Sequence, residues 1–131
     1  MERYKRIFKV LSDEKRLKVF ILLLKMGKEY YVCEIADALE ESHYNISKYL
    51  NELKREGLVK EKRIGRGVLY SVKEAEDEFM KYLHNAILSI PDTLLSRNME
   101  LLKLRVSLRR ENKCVIGVND PRWLEIAKEV K

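Results

Sequence analysis

Between Val32 and Gly57 the chain reads VCEIADALEESHYNISKYLNELKREG, two apolar periodicities interrupted by a pair of glutamates. In the first part Ile35, Ala36 and Leu39 recur at helical spacing. Glu40 and Glu41 break that stripe. Ser42 then offers a hydroxyl to the free N–H groups of a following turn, which makes it a helix N-cap. From His43 the period resumes through Ile46, Leu50 and Leu53, and Gly57 supplies the left-handed residue that commonly closes a helix. The spacing predicts two helices joined by a short turn, and every other segment has to accommodate that unit.

Ile46, Leu50 and Leu53 commit one face of the second helix to packing, so His43, Asn45, Ser47, Lys48, Asn51 and Lys54 are left outside. Asparagine pairs bidentately with adenine, and lysine serves a guanine edge or a phosphate. An ordinary solvated helix face has a similar composition, so the next segment decides between the two readings. LVKEKRIGRGVLYSV (58–72) places two β-prone runs around Gly65-Arg66-Gly67, a tight turn with a cation at its tip. Lys60, Lys62, Arg63 and Arg66 make this hairpin basic, suited to lie along phosphates or enter a minor groove. The expected fold is mainly α with a small β-hairpin wing, a winged helix–turn–helix.

At this point residues 4–73 resemble the ArsR/SmtB type of metal-responsive repressors. LSDEKRLKVFILLL (11–24) is similar to that family's second helix, and YYVCEIADAL (30–39) to the segment holding its Cys-Val-Cys-Asp metal box. SHYNISKYLNELKREGLV (42–59) is close to its recognition helix. The resemblance implies a homodimer paired through its first and last core helices. Two recognition helices would then meet a pseudo-palindromic site on double-stranded DNA, about one turn apart. On this reading Ser42, His43, Asn45, Ser47 and Lys48 serve the major groove or its flanking phosphates. Lys62, Arg63 and Arg66 serve the backbone or minor groove.

The 131 residues divide into a core of 1–90 and a C-terminal extension of 91–131. A first helix is expected over Glu2 to Leu11 and a second from Asp13 to Met26, capped by Ser12 and with Leu17, Phe20, Ile21 and Leu24 inward. Residues 73–90 read as one further helix, ended by Pro91. Beyond it, 92–108 reads as a helix with Leu94, Leu95, Met99, Leu102 and Val106 inward and Arg97, Lys103, Arg105 and Arg109 outward. A β-prone run follows near Cys114, then a last helix starting at Asp120-Pro121 with Trp123 on its buried face. The Ser-Leu-Arg…Glu-Asn-x-Cys-Val pattern of this extension is similar to the tail of a subset of ArsR-type proteins. Lys and Arg total 27 against 21 Asp and Glu, a net charge of +6 that suits a nucleic-acid partner. The charged N-terminus and the short apolar runs predict a cytoplasmic protein with no membrane partner.

Tyr31 stands where the resembled metal box has its first cysteine, so only Cys33 matches it. Cys33 falls in a helix first turn, where the dipole favours a thiolate and neighbouring Glu34 opposes one. Cys114 lies in an apolar run. Two readings stay open: a pair of reduced, buried thiols, or a sensor. As a sensor, Cys33 and Cys114 would bind As(III), Cd(II) or another thiophilic ion, or carry a persulfide or reversible sulfur bridge. The second metal site of the resembled family is not expected, because Asp77 and His84 lack a second histidine. No enzyme is expected: there is no Gly-rich phosphate loop, no histidine pair at metal spacing and no Cys-x-x-Cys. The competing class is a winged-helix protein–protein interaction module, against which the basic wing argues.

Overall fold

The computed structural model describes residues 1–130, so Lys131, the last residue of the extension, lies outside the described residues. Its centre is α2 (Glu14–Met26), which buries Val19, Phe20, Ile21, Leu22 and Leu23 in succession. Five consecutive buried residues require neighbours on every side, so the single stripe read from the sequence understates this helix. Asp13 caps it, accepting from the Arg16 N–H at 3.0 Å. Ser12, expected in that role, instead donates to the Lys9 carbonyl at 2.6 Å and finishes α1 (Glu2–Leu11).

The helix–turn–helix forms as its spacing predicts, with α3 at Val32–Leu39 and α4 at His43–Arg55. Glu40 takes the left-handed conformation (φ +56°) that turns the chain between them. Ser42 Oγ accepts from the Asn45 N–H at 3.1 Å, and Ile46, Leu50 and Leu53 are wholly buried. Ser42→Ala is expected to lower stability by about 1 kcal/mol, the usual worth of such a cap. Urea unfolding checks this; an unchanged midpoint would mean that Ser42 does not hold the start of α4.

Three antiparallel strands stand in the order β1-β3-β2: β1 (Tyr30–Tyr31), β2 (Val59–Ile64) and β3 (Gly67–Val72). Pairing of Ile64 with Gly67 leaves a two-residue turn, Gly65-Arg66, with Gly65 at φ +59°. The short β1 is not signalled by the sequence. It pairs Tyr31 with Leu69 and so ties the start of α3 to the wing. The chain leaves the sheet in extended form, and α5 (Glu78–Leu88) begins only where Asp77 accepts from the Met80 N–H at 2.9 Å, five residues later than the apolar pattern suggests. Tyr4 and Phe8 of α1 meet Phe79 of α5 edge-on, with centroids 4.9 and 5.9 Å apart.

Past Pro91 the single helix expected over 92–108 is split into a 3-10 turn, Asp92–Leu94, and α6 (Ser96–Val106). Leu95, at φ −131°, makes the break and is itself buried. The β-prone run around Cys114 forms no strand. One isolated bridge, Arg110 with Lys113, closes a tight turn there. The final helix, α7 (Pro121–Ala127), starts as expected at the Asp120 cap and buries Trp123. The extension packs on its own chain, α6 lying along α3. Among the described residues no helix is long and apolar enough to cross a membrane.

Candidate nucleic-acid interface and thiol site

The outward face of α4 carries Ser42, His43, Tyr44, Lys48 and Asn51, all exposed, with Ser47 half-buried beside them. Tyr44, 76% exposed, is the residue that the sequence reading passes over. Its signal was position, one step after His43 and three before Ser47 on the first turns of the helix. Asn45 also has a partner within the chain. Its Nδ2 donates to Glu41 Oε1 at 3.1 Å, and Glu41 also takes the Lys15 ammonium at 2.5 Å. The Lys15 hydrogen bond, with that of Asn45, holds the Glu41 carboxyl below its ordinary range. In the free protein the Asn45 side chain is therefore tied to the turn that precedes α4.

The wing divides into a charge-paired base and a cationic tip. Lys54 reaches Glu61 at 3.2 Å, and Tyr70 donates to the same carboxylate at 3.0 Å. Burial and this negatively charged acceptor push the Tyr70 hydroxyl up to about 12. Lys60 pairs with Glu74 at 2.5 Å, and Lys62 stands 3.9 Å from Glu29. Among the described residues Arg63 and Arg66 have no carboxylate partner.

Cys33 and Cys114 are brought together: their sulfurs lie within reach of a direct link, with Cα atoms 7.6 Å apart and a sequence separation of 81. Around this link the extension grips α3 through two ion pairs. Arg105, expected outside, is 1% exposed. Its Nε donates to Asp37 Oδ2 at 2.8 Å, and its Nη2 to the Ile116 carbonyl at 2.8 Å and towards Cys114 Sγ at 3.8 Å. The other Asp37 oxygen accepts from the Asn119 N–H at 3.0 Å. Arg109, also expected outside, forks onto Glu34, with both bonds at 2.6 Å, and reaches the Glu29 carbonyl at 3.0 Å. Glu34 is wholly buried, and its hydrogen bonds raise the Arg109 pKa further above its ordinary value. The sequence did contain part of a signal: Glu34 and Asp37 are three apart on α3 and share one helical side, whereas Arg109 lies beyond the end of α6.

Tyr31 joins these parts. The Arg109 guanidinium lies 5.2 Å from its ring, and its hydroxyl donates to the Asn112 carbonyl at 2.9 Å. On the other side the ring edge presses on the wing, where a Cβ added at Gly67 would come within 2.6 Å of Tyr31 Cε1. The residue that replaces the first thiol of the resembled box is thus a spacer between wing and extension.

Once reduced, two thiols this close would suit a soft ion, yet no group of three or more His, Cys, Asp or Glu among the described residues could hold a metal ion. Asp77 is occupied as the α5 cap and by Arg3 at 2.9 Å. His84 lies against Phe20, its Nε2 buried without a hydrogen-bond partner, and burial lowers its pKa.

Against known proteins, residues 13–61 match the family described as "Bacterial regulatory protein, arsR family". The chain is 38% identical over 65 residues to the arsenical resistance operon repressor of Escherichia coli (strain K12), a match covering 50% of this chain and 55% of that one. It therefore spans about half the length of that repressor. It is 37% identical over 75 residues to the HTH-type transcriptional regulator MJ1325 of Methanocaldococcus jannaschii, covering 55% of this chain and 83% of the relative. Its fold is similar to the homodimeric winged helix-turn-helix DNA-binding domain of Mb0332 from Mycobacterium bovis. That likeness has a TM-score of 0.56 and 29% identity, over 72% of this chain and 82% of that one. Capped recognition helix, wing and these matches agree, and the chain belongs to the ArsR family of regulatory proteins.

Proposed function

We propose that the chain is a sequence-specific DNA-binding transcriptional repressor, acting as a homodimer and released by a thiol-directed signal. The observation that carries the reading is one helix face and one hairpin. The outward side of α4 offers His43, Tyr44, Ser47 and Lys48, and the wing next to it ends in Arg63 and Arg66, which have no carboxylate partner among the described residues. Such a surface fits base edges with the helix and phosphates with the wing. Dimerisation is supported by the apolar side chains left on α1 and α5, where Phe8 is 56% and Tyr82 61% exposed, and by the homodimeric state of the Mycobacterium bovis domain.

The signal is read from the sulfur link. Cys33 is in the first turn of α3, and α3 feeds directly into the turn that caps α4. The same extension holds Tyr31, which bears on the wing. Arsenite or a cadmium ion bound by the reduced Cys33 and Cys114 thiols, with loss of their protons, or a reactive sulfur species acting on them, would shift both DNA-contacting parts at once. The arsenical repressor among the relatives favours a metalloid. Ligand and DNA would then weaken each other by the same factor.

Fluorescence anisotropy on the DNA upstream of the chain's own gene tests this, in the reduced protein with and without arsenite. Selective binding released by arsenite is expected, and loss of that release in Cys33→Ser and Cys114→Ser. Lys48→Ala should cost about 1–3 kcal/mol of discrimination if it serves a base. Arg66→Ala should weaken specific and random duplex alike and reduce the salt slope by about 1. Equal losses from both substitutions on both DNAs would overturn the division of roles. Asn45 contributes to discrimination only by exchanging Glu41 for a base, so Glu41→Gln should raise affinity for DNA.

A further inference from the structure

Between the wing, the end of α2 and the extension lies a cleft of about 640 Å³ that the DNA reading does not use. Its volume is within the range of sites that enclose a small organic ligand, roughly 300–1,000 Å³. Ile64, Leu69 and Val106 give it an apolar wall. Ile64 is notable there, a β-branched wing residue left 40% exposed. Lys28, Lys103 and Lys113 stand around the same cleft, and none of the three has a carboxylate partner among the described residues. Arg109, which also lines it, is taken up by Glu34, and the lining Glu29 leans towards Lys62 at 3.9 Å. That leaves three free ammonium groups against Glu111.

We infer that this cleft binds an amphipathic organic monoanion, its apolar body on Ile64, Leu69 and Val106 and its carboxylate or sulfonate among Lys28, Lys103 and Lys113. A polyphosphate fits less well, since it would cover no apolar surface and would meet Glu29 and Glu111. A neutral hydrocarbon would leave the cationic side unused. The site joins three parts of the fold, because Lys113 precedes Cys114 and Asn112 holds Tyr31. Occupancy therefore depends on whether the 110–113 turn is tethered by Cys114, a corollary that rests on the thiol reading; the binding itself does not.

The test uses the full oxidised chain without DNA, titrated with the fluorescent sulfonate 8-anilinonaphthalene-1-sulfonate. Saturable binding with one site per chain is expected, displaced by decanoate and not by decanol. Reversing two of the charges, in a Lys103→Glu, Lys113→Glu variant whose circular dichroism is unchanged, should weaken the dye by at least about tenfold. Ile64→Ser should weaken it as well, since the wing residue is exposed and its loss leaves the core intact. Phe8→Ser, on α1 and outside the lining of the cleft, should leave it unchanged. Dye binding that ignores the charge reversal and disappears in Phe8→Ser would place the dye on the α1–α5 face and overturn the proposal, as would unsaturable binding. None of these outcomes depends on whether the protein binds DNA.

Discussion

Arg105→Ala is expected to cost about 3–5 kcal/mol of folding stability, the range for removing one member of a buried ion pair. The substitution leaves the Asp37 carboxylate, 3% exposed, with the Asn119 N–H as its remaining donor. It also strips the Ile116 carbonyl of its 2.8 Å donor and removes the cation beside the Trp123 ring. Arg105→Lys should recover only a small part of the loss, because a single ammonium cannot replace a fork that reaches Asp37 and Ile116 together. The informative variant is the pair Arg105→Met with Asp37→Leu. Removing both charges is often neutral or stabilising where removing one is not, so this variant should regain most of the stability. Urea unfolding in reducing buffer measures all three without interference from the sulfur link. A loss below about 1 kcal/mol for Arg105→Ala would mean that water reaches Asp37 and that the extension is not docked as described.

The contrast between what the sequence disclosed and what it concealed follows from the range of the interactions. The helix–turn–helix was legible because its determinants are local. Ser42 caps the helix that it precedes, and Ile46, Leu50 and Leu53 report a period within a few turns. The wing was legible for the same reason, through Gly65 at a turn that needs a positive φ. The family resemblance added the dimer and the DNA-reading roles, which no periodicity contains. Arg105 and Arg109 were misplaced because a charged side chain on a helix is ordinarily solvated. Their burial depends on Glu34 and Asp37, which lie 75 and 68 residues away in sequence. The strand β1 was hidden for a related reason: two residues carry no pattern, and only the neighbouring β3 makes them a strand. Asn45 shows how a local partner can go unnoticed as well. Its position on α4 was right, but its partner Glu41 sits in the turn, which the sequence reading treated only as an interruption.

The second large effect concerns the link from Cys33 to Cys114. Closing a loop across 81 residues removes conformational freedom from the unfolded chain, and the chain-entropy relation puts this at about 4–5 kcal/mol. The oxidised protein should accordingly unfold at higher urea than the reduced one by an amount of that order. Cys33→Ser and Cys114→Ser, each under oxidising conditions, should match the reduced wild type. Reduction should not release the extension, because Arg105 with Asp37 and Arg109 with Glu34 hold it to α3 independently of the sulfurs. The reduced chain is therefore expected to unfold in a single transition with α6 still docked, and to present two thiols already close enough to share an incoming ion. A separate early transition of the extension on reduction would show that the sulfur link, rather than the ion pairs, keeps it in place. Coincident oxidised and reduced curves would show that the link does not form in solution, and the sensing role would then rest on ligand bridging alone.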